Sequence, residues 1–313
     1  MKSTWVKDFV TGHSAFHKFV SLAKKIKLPG FEGLPLFDVA VFFFQRINQG
    51  ELQTRARAIA FSFFLALFPA TIFIFTLLPY VPIETFPDEL LSLIADFLPA
   101  STFEAAKETI EDILRHQRGG LLSFGFLFAI FLSADGVMAL MTWFNKSFHG
   151  KEQRSAWRFR LMAIALTICL SLFVFLALAL IVITEVIYSY MEKKEILVSL
   201  MQMILLSIGK WVILLTLCFS AISLLYYYGP SKHEKLKFIS AGSSLATLLI
   251  VLTSLGFNFF INNFSQYNKI YGSIGTLLIL LIWIYINSFV LLVGYELNVS
   301  IRKARKIIEL PKQ

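Results

Sequence analysis

The sequence predicts an all-α polytopic membrane protein with six transmembrane helices, because the chain is apolar and poor in charge. Its 313 residues are 57% hydrophobic and 16% charged, with a mean hydropathy of +0.71. An ordinary soluble domain is roughly 45–50% apolar and about 25% charged. A helix needs about 20 apolar residues to cross the hydrocarbon of a bilayer. Six runs reach that length, and each is predicted to be a helix because lipid satisfies no backbone group.

The six predicted spans are separated by more polar segments. They are Ala58–Leu78, Leu121–Met141, Leu161–Thr184, Trp211–Tyr228 with an upstream extension over Ile196–Gly209, Phe238–Phe260 and Ile274–Tyr295. The first span follows a long basic segment, whereas a cleaved signal peptide begins with a short charged region. We therefore expect the first span to stay in the mature chain.

The distribution of Lys and Arg predicts the orientation of the spans. Segments on the side of the N-terminus carry 22 of the 29 basic residues, and segments on the other side carry seven. Basic segments avoid the translocated side, so both termini are predicted to be cytoplasmic. This asymmetry accounts for the net charge of +9 without nucleic acid as a partner. The chain divides into a cytoplasmic basic segment at 1–55, a transmembrane domain at 56–300 and a basic tail at 301–313.

Two stretches before the first span predict amphipathic interfacial helices. Ser14–Lys27 alternates apolar side chains with lysines, a pattern that suits an anionic membrane surface. Leu36–Ile47 places Val39, Phe43 and Ile47 at helical spacing. The alternative is that these stretches are loosely ordered or pack under the bundle.

The longest external segment, 79–120, predicts a small helical cap between the first two spans. It holds eight acidic residues and three basic ones, as a translocated segment can. Ser101 and Glu104 have the spacing of a capping box, which predicts the start of a helix. The cap could roof a cavity, contact an external envelope protein or pack onto the spans.

Asp135 is the only charged residue inside the six runs. A charge at that depth costs at least about 3 kcal/mol unless it is paired, hydrated or protonated. Arg57, Asn145 and Glu296 are predicted to lie at the same leaflet. We predict that these four residues form an intramembrane polar cluster facing the bundle interior. The cluster either takes part in transport or only fixes the register of the helices through an Arg–Asp contact.

Two further residues predict a kink or a polar pathway. Pro69 lies in the middle of the first span, where it removes a backbone donor and bends the helix. Asn287 lies near the centre of the last span and is expected to bond across the bundle. The small residues between Ala241 and Thr247 predict a close helix approach in the fifth span.

Four motifs carry a family resemblance. The most specific runs from Tyr271-Gly272-Ser273-Ile274-Gly275 through Trp283-Ile284-Tyr285 to Gly294-Tyr295-Glu296-Leu297-Asn298; the others are the segment from Arg57 to Pro69, Phe144-Asn145-Lys146 and Tyr228-Gly229-Pro230. Over residues 45–305 the chain closely resembles the YihY/virulence factor BrkB family of bacterial inner-membrane proteins. The resemblance implies six spans in the cytoplasmic membrane. Tyr271, Gly272 and Gly275 end a polar and aromatic stretch before the last span, which is predicted to form either a motif turn or an interfacial belt.

The sequence disfavours an enzyme, although an older label of the family is ribonuclease BN. Metal-dependent phosphodiester hydrolysis uses clustered acidic or histidine ligands. The predicted cytoplasmic acids are scattered singly, and His13 with His17 would supply only two ligands. The chain has no phosphate-binding loop or nucleophile elbow. We therefore predict no catalytic, cofactor-binding or metal-binding residues.

Two functions from different classes remain. The first is a transporter or flippase-like protein for an amphipathic envelope molecule, such as a lipid or glycolipid. The second is a structural scaffold protein of the cell envelope that moves nothing. Both have membrane lipids as partners, and either could bind an external envelope protein or a second copy of the chain. A lined cavity would favour the first and a tightly packed bundle the second.

Overall fold

All elements in the part of the chain that the structure describes are α-helices. The computed structural model describes residues 30–31, 33–47, 51–77, 91, 104, 107–108, 111–112, 119–147, 152, 154–193, 200–231, 237–263 and 265–309. The helices are α1 (Leu36–Ile47), α2 (Glu51–Leu77), α3 (Gly119–Ser147), α4 (Ala156–Lys193), α5 (Leu200–Tyr228), α6 (Ala241–Asn263) and α7 (Ser265–Glu309). The stretch Ser14–Lys27, both histidines named above and nearly all of the external cap lie outside the described residues.

Helices α3 to α7 each contain a stretch long and apolar enough to cross a membrane. These stretches are Ser123–Ser147, Ala156–Tyr188, Ile204–Tyr228, Ala241–Ile261 and Leu277–Ile307. Helix α2 contains the first predicted span within a continuous helix of 27 residues. The all-α polytopic class is therefore confirmed. The total of six spans and the side of each terminus stay predictions, as do the boundaries of the three sequence regions.

The core concentrates at one end of the bundle, which we call the predicted cytoplasmic end. Here α3 ends, α4 begins, and α5 is joined to α6. The fully buried rings of Phe144, Tyr226 and Tyr295 meet there, with centroids 4.0 Å apart for Phe144 and Tyr295. Tyr226 contacts the other two rings edge to face, at 5.6 and 5.4 Å. Its hydroxyl donates to the carbonyl oxygen of Leu291 at 2.6 Å. These aromatic contacts join α3, α5 and α7.

Helices α6 and α7 cross in backbone contact at two glycines. A Cβ atom on Gly242 would lie 2.1 Å from the carbonyl oxygen of Gly294, and one on Gly294 would lie 2.6 Å from the carbonyl oxygen of Gly242. Only glycine permits this approach at either position. The close helix approach predicted for the small residues of the fifth span is confirmed.

Helix α1 forms with the predicted bounds and packs against the C-terminal part of α7. Val39 is fully buried in a small cluster with Leu297, Ile301 and Ala304. This arrangement corresponds to the alternative of packing under the bundle, and attachment of α1 to a membrane surface stays a prediction.

The motif turn predicted at Tyr271, Gly272 and Gly275 is not a turn. All three residues lie inside α7, which runs without interruption for 45 residues from Ser265. The segment contains no proline, and a continuous helix satisfies the backbone groups that a turn near the membrane would leave exposed. Glycine alone does not end a helix in that setting, since it is frequent in transmembrane helices.

Candidate functional site

The structure distributes the four residues of the predicted polar cluster over separate places. Asp135, Glu296 and Asn145 each contact a different arginine-containing group. Arg57 is exposed and lines a groove between α2 and α7. The predicted contact of Asp135 with Arg57 is replaced by another ion pair.

Asp135 pairs with Arg160 on the neighbouring helix α4. The Nη2 atom of Arg160 also donates to the carbonyl oxygen of Phe131 at 3.0 Å, and its guanidinium carbon lies 3.8 Å from the centroid of the Phe131 ring. The Asp135 side chain is 41% exposed, so it lies on the outside of the bundle rather than in the interior as predicted. Arg160 lies in the second turn of α4, beside α3, and its long side chain reaches the carboxylate along the helix surface.

Glu296 is the buried acid of the predicted cytoplasmic end, with 2% of its surface exposed. The Ser147 hydroxyl donates to its Oε1 at 2.6 Å, and Arg55 Nη1 lies 3.4 Å from the same oxygen. Arg55 also contacts the exposed Glu51 and donates to Ser147 at 3.2 Å. Arg55 occupies the place predicted for Arg57 because two residues of helix rotate a side chain by about 200°, to the opposite face. This group joins α2, α3 and α7.

Asn145 joins the segment between α3 and α4 to the segment between α5 and α6, at the predicted cytoplasmic end. Its Nδ2 donates to Glu152 at 2.5 Å, and its Oδ1 accepts from the backbone N of Ser231 at 2.7 Å. Arg154 completes the contact by donating to Glu152 at 2.8 Å and to the carbonyl oxygen of Gly229 at 2.8 Å. Partial burial raises the pKa of Glu152, but hydrogen bonds from Arg154 and Asn145 and the Arg154 charge outweigh it, so the pKa lies below its ordinary value.

A cavity of about 320 Å³ lies between α2, α3 and α7, beside the proline of α2. Its polar lining consists of Ser133, Asn287 and Ser288. Asn287 donates to the carbonyl oxygen of Trp283 in its own helix at 2.8 Å, so the predicted bond across the bundle is wrong. Among the residues described, none donates to Asn287 Oδ1 and none bonds the Ser133 hydroxyl.

Pro69 is buried in the part of α2 that borders this cavity. The helix continues through it, and the missing N–H leaves the Leu65 carbonyl without its helical partner. A kink at Pro69 stays a prediction. The sequence also predicts the polar Asn287 but carries no local signal for Ser133. Its position follows from the packing of α3 on α2, where a Cβ on Gly136 would lie 2.5 Å from the Phe63 ring.

A second opening of about 380 Å³ lies between α2 and α7. We call it the α2–α7 groove, and its lining is Arg57, Ala60, Phe61, Leu281, Ile282 and Tyr285. The walls are apolar except for the Arg57 guanidinium and the Tyr285 hydroxyl.

The end of the family motif has a separate structural contact at nearly every position. Gly294 permits the helix crossing, Tyr295 stacks in the aromatic core and Glu296 joins three helices. Asn298 accepts from the backbone N of Gly242 at 2.8 Å and donates to Ser240 at 2.9 Å, which caps the start of α6. The motif therefore holds the predicted cytoplasmic end together.

Comparison with known proteins gives a consistent picture. The family model "Virulence factor BrkB" matches residues 43–312. The ribonuclease-like protein YfkH of Bacillus subtilis (strain 168) is 31% identical over 268 residues, covering 84% of this chain and 95% of that protein.

Two shorter matches are to proteins named UPF0761 membrane protein. The one from Idiomarina loihiensis is 31% identical and covers 30% of this chain and 33% of its own length; the one from Vibrio campbellii is 34% identical and covers 29% of each. No solved structure matches the chain. The chain belongs to the virulence factor BrkB family and is a multi-pass bacterial membrane protein.

Proposed function

We propose that this membrane protein moves an amphipathic envelope molecule, a lipid or glycolipid, across the cytoplasmic membrane. The observation that carries the proposal is the cavity beside Pro69, which places polar atoms of Ser133 and Asn287 among transmembrane helices. A polar atom without a hydrogen-bond partner is costly in an apolar environment. A ligand with polar groups, or water that accompanies it, would relieve that cost during passage.

The distribution of rigid and adaptable parts supports this proposal. The predicted cytoplasmic end is fixed by the aromatic core, the glycine crossing and the buried Glu296 group. Helix α2, by contrast, lacks one backbone hydrogen bond at Pro69 beside the cavity. Discontinuous or kinked helices beside a midplane site are typical of secondary transporters. Helix α2 can therefore bend at Pro69 while the fixed end keeps its packing.

An enzymatic function is not proposed, although one relative is named as ribonuclease-like. Within the described ranges no group of three or more His, Cys, Asp or Glu side chains could hold a metal ion. The acids of the predicted cytoplasmic end are instead bonded to arginines: Glu296 contacts Arg55, and Glu152 contacts Arg154. The sequence also has no ATP-binding motif, so net transport would need an ion gradient or a partner protein.

A structural scaffold protein is the second candidate. The aromatic core and the glycine crossing favour it, because both make the predicted cytoplasmic end a closely packed unit. A scaffold function requires no lipid movement, which makes the two candidates separable by one assay.

The test is reconstitution in liposomes with fluorescent lipid analogues, measuring how fast the outer-leaflet fraction changes. Wild-type protein should accelerate exchange, and Asn287→Leu should slow it because the substitution removes the polar lining. Thr216→Val is the matched control, since Thr216 also bonds a carbonyl of its own helix but lines neither opening. No exchange above protein-free vesicles, in several lipids and under a proton gradient, would overturn the proposal and favour the scaffold.

A further inference from the structure

Arg57 differs from Arg55, Arg154 and Arg160 in its surroundings. Arg55, Arg154 and Arg160 each lie within contact distance of a carboxylate. In the ranges that the structure describes, no acidic side chain forms such a pair with Arg57. It lies only two residues, about 3 Å along the helix axis, from Arg55. A cation is therefore available at the membrane boundary.

The Arg57 side chain lines the largely apolar α2–α7 groove. Ala60, Phe61, Leu281 and Ile282 form the walls of the α2–α7 groove, and Phe61 is 59% exposed. The Tyr285 hydroxyl adds one more hydrogen-bond donor to the lining. The groove's volume of about 380 Å³ falls in the range of small-molecule sites. Its shape and chemistry combine a long apolar wall with two polar donors.

We propose that the α2–α7 groove binds a membrane lipid with an anionic phosphate headgroup, the phosphate at Arg57 and an acyl chain along the apolar wall. Arginine binds phosphate through paired, charge-assisted hydrogen bonds, and it keeps its charge at the membrane surface. The apolar wall favours a lipid over a purely water-soluble anion, because an acyl chain can pack along the wall while the phosphate contacts Arg57. A zwitterionic lipid would place its own cation near Arg57 and gain less.

This inference rests on the proposed function and names its substrate class. The groove and the polar-lined cavity share the helices α2 and α7, with Ala60 and Phe61 of α2 lining the groove and Phe63 lining the cavity. On α7, Ile282 and Trp283 are adjacent residues that line the groove and the cavity respectively. A lipid held in the groove is therefore adjacent to the cavity proposed for its passage.

The test is lipid binding measured by native mass spectrometry of the full chain in a mild detergent. Phosphatidylglycerol and phosphatidylcholine with identical acyl chains are titrated, and a separate arm adds inorganic phosphate as competitor. Wild-type protein should bind phosphatidylglycerol more tightly than phosphatidylcholine. Arg57→Gln should weaken phosphatidylglycerol binding about tenfold, the value of one charge-assisted hydrogen bond. Arg57→Lys should recover part of that loss.

Two matched variants separate the groove from general surface charge and bulk. Arg158→Gln removes an exposed arginine at the start of α4 and should leave binding unchanged. Ile282→Trp should fill the groove and weaken binding, whereas Leu252→Trp, on the exposed face of α6, should not. Each variant is first checked for wild-type helicity and thermal unfolding.

The outcomes of the binding and exchange assays are distinguishable. Equal binding of wild type and Arg57→Gln, or an equal loss in Arg158→Gln, overturns the groove proposal whatever the exchange assay gives. Inorganic phosphate displacing the lipid completely at low concentration also overturns it, because the acyl chain would then contribute nothing. Groove binding that depends on Arg57, together with no lipid exchange, supports this inference and overturns only the proposed transport.

Discussion

Glu296→Gln tests whether the buried acid of the predicted cytoplasmic end holds the bundle together. The substitution keeps an acceptor for Ser147 but removes the charge opposite Arg55. Breaking a buried ion pair costs about 3–5 kcal/mol because one charge stays buried without compensation. Arg55 retains the exposed Glu51 as a second partner, so we expect a loss near the lower limit, about 3 kcal/mol of unfolding free energy.

The assay is equilibrium unfolding by dodecyl sulfate from a mild detergent, followed by circular dichroism. Glu51→Gln is the control, since its carboxylate is 68% exposed and should change stability by less than about 1 kcal/mol. A double-mutant cycle with Arg55→Met should show that the two losses do not add, because the second substitution removes a charge that has already lost its buried partner. A Glu296→Gln variant as stable as Glu51→Gln, or strictly additive losses, would refute the reasoning.

Three further predictions concern other contacts of the bundle. Gly294→Ala should lower the free energy of unfolding by about 1–3 kcal/mol in the same assay, because the new methyl group forces α6 away from α7. A stability equal to that of wild type would contradict the close crossing. Asp135→Asn should lower stability by about 1 kcal/mol, since its half-exposed carboxylate neutralises Arg160; unchanged folding and unchanged lipid exchange would show that Asp135 is dispensable for both. Wild-type stability should fall as the pH drops below the ordinary Glu pKa of 4.5 toward the lower pKa of folded Glu152, because protonation weakens the contact with Arg154. The Glu152→Gln variant should lack this part of the pH dependence, and identical pH profiles of wild type and variant would contradict the lowered pKa.

The positions of the helices could be predicted from the sequence because they depend on local composition. Lipid forces an apolar run of about 20 residues to be helical, whatever its neighbours. Helix α1 was equally predictable, since Leu36–Ile47 shows helical spacing of its apolar residues. The predicted motif turn at Gly272 is wrong because a continuous helix satisfies the backbone groups there, and glycine does not prevent that helix.

The partners of charged residues were harder to predict, since they depend on helix rotation and tilt. Arg57 and Arg55 differ by two positions, and only the face of α2 that meets α7 decides which one contacts Glu296. Helical periodicity predicts that only one of the two arginines can contact Glu296, but it does not show which face of α2 meets α7. Arg160 directly precedes a predicted span, in a connecting segment, and only the length of its side chain allows it to reach Asp135. The groove at Arg57 likewise depends on packing that no single run of sequence encodes.

The uninterrupted length of α7 has a mechanical consequence. At 45 residues the helix measures about 68 Å, more than twice the roughly 30 Å of bilayer hydrocarbon. The backbone crossing at Gly294 divides this rod into unequal arms of about 43 and 22 Å. A 10° tilt of the long arm about that crossing would displace its tip by about 7 Å. Helix α7 is therefore anchored near one end, because its short arm packs against α1 and the crossing lies beside the aromatic core.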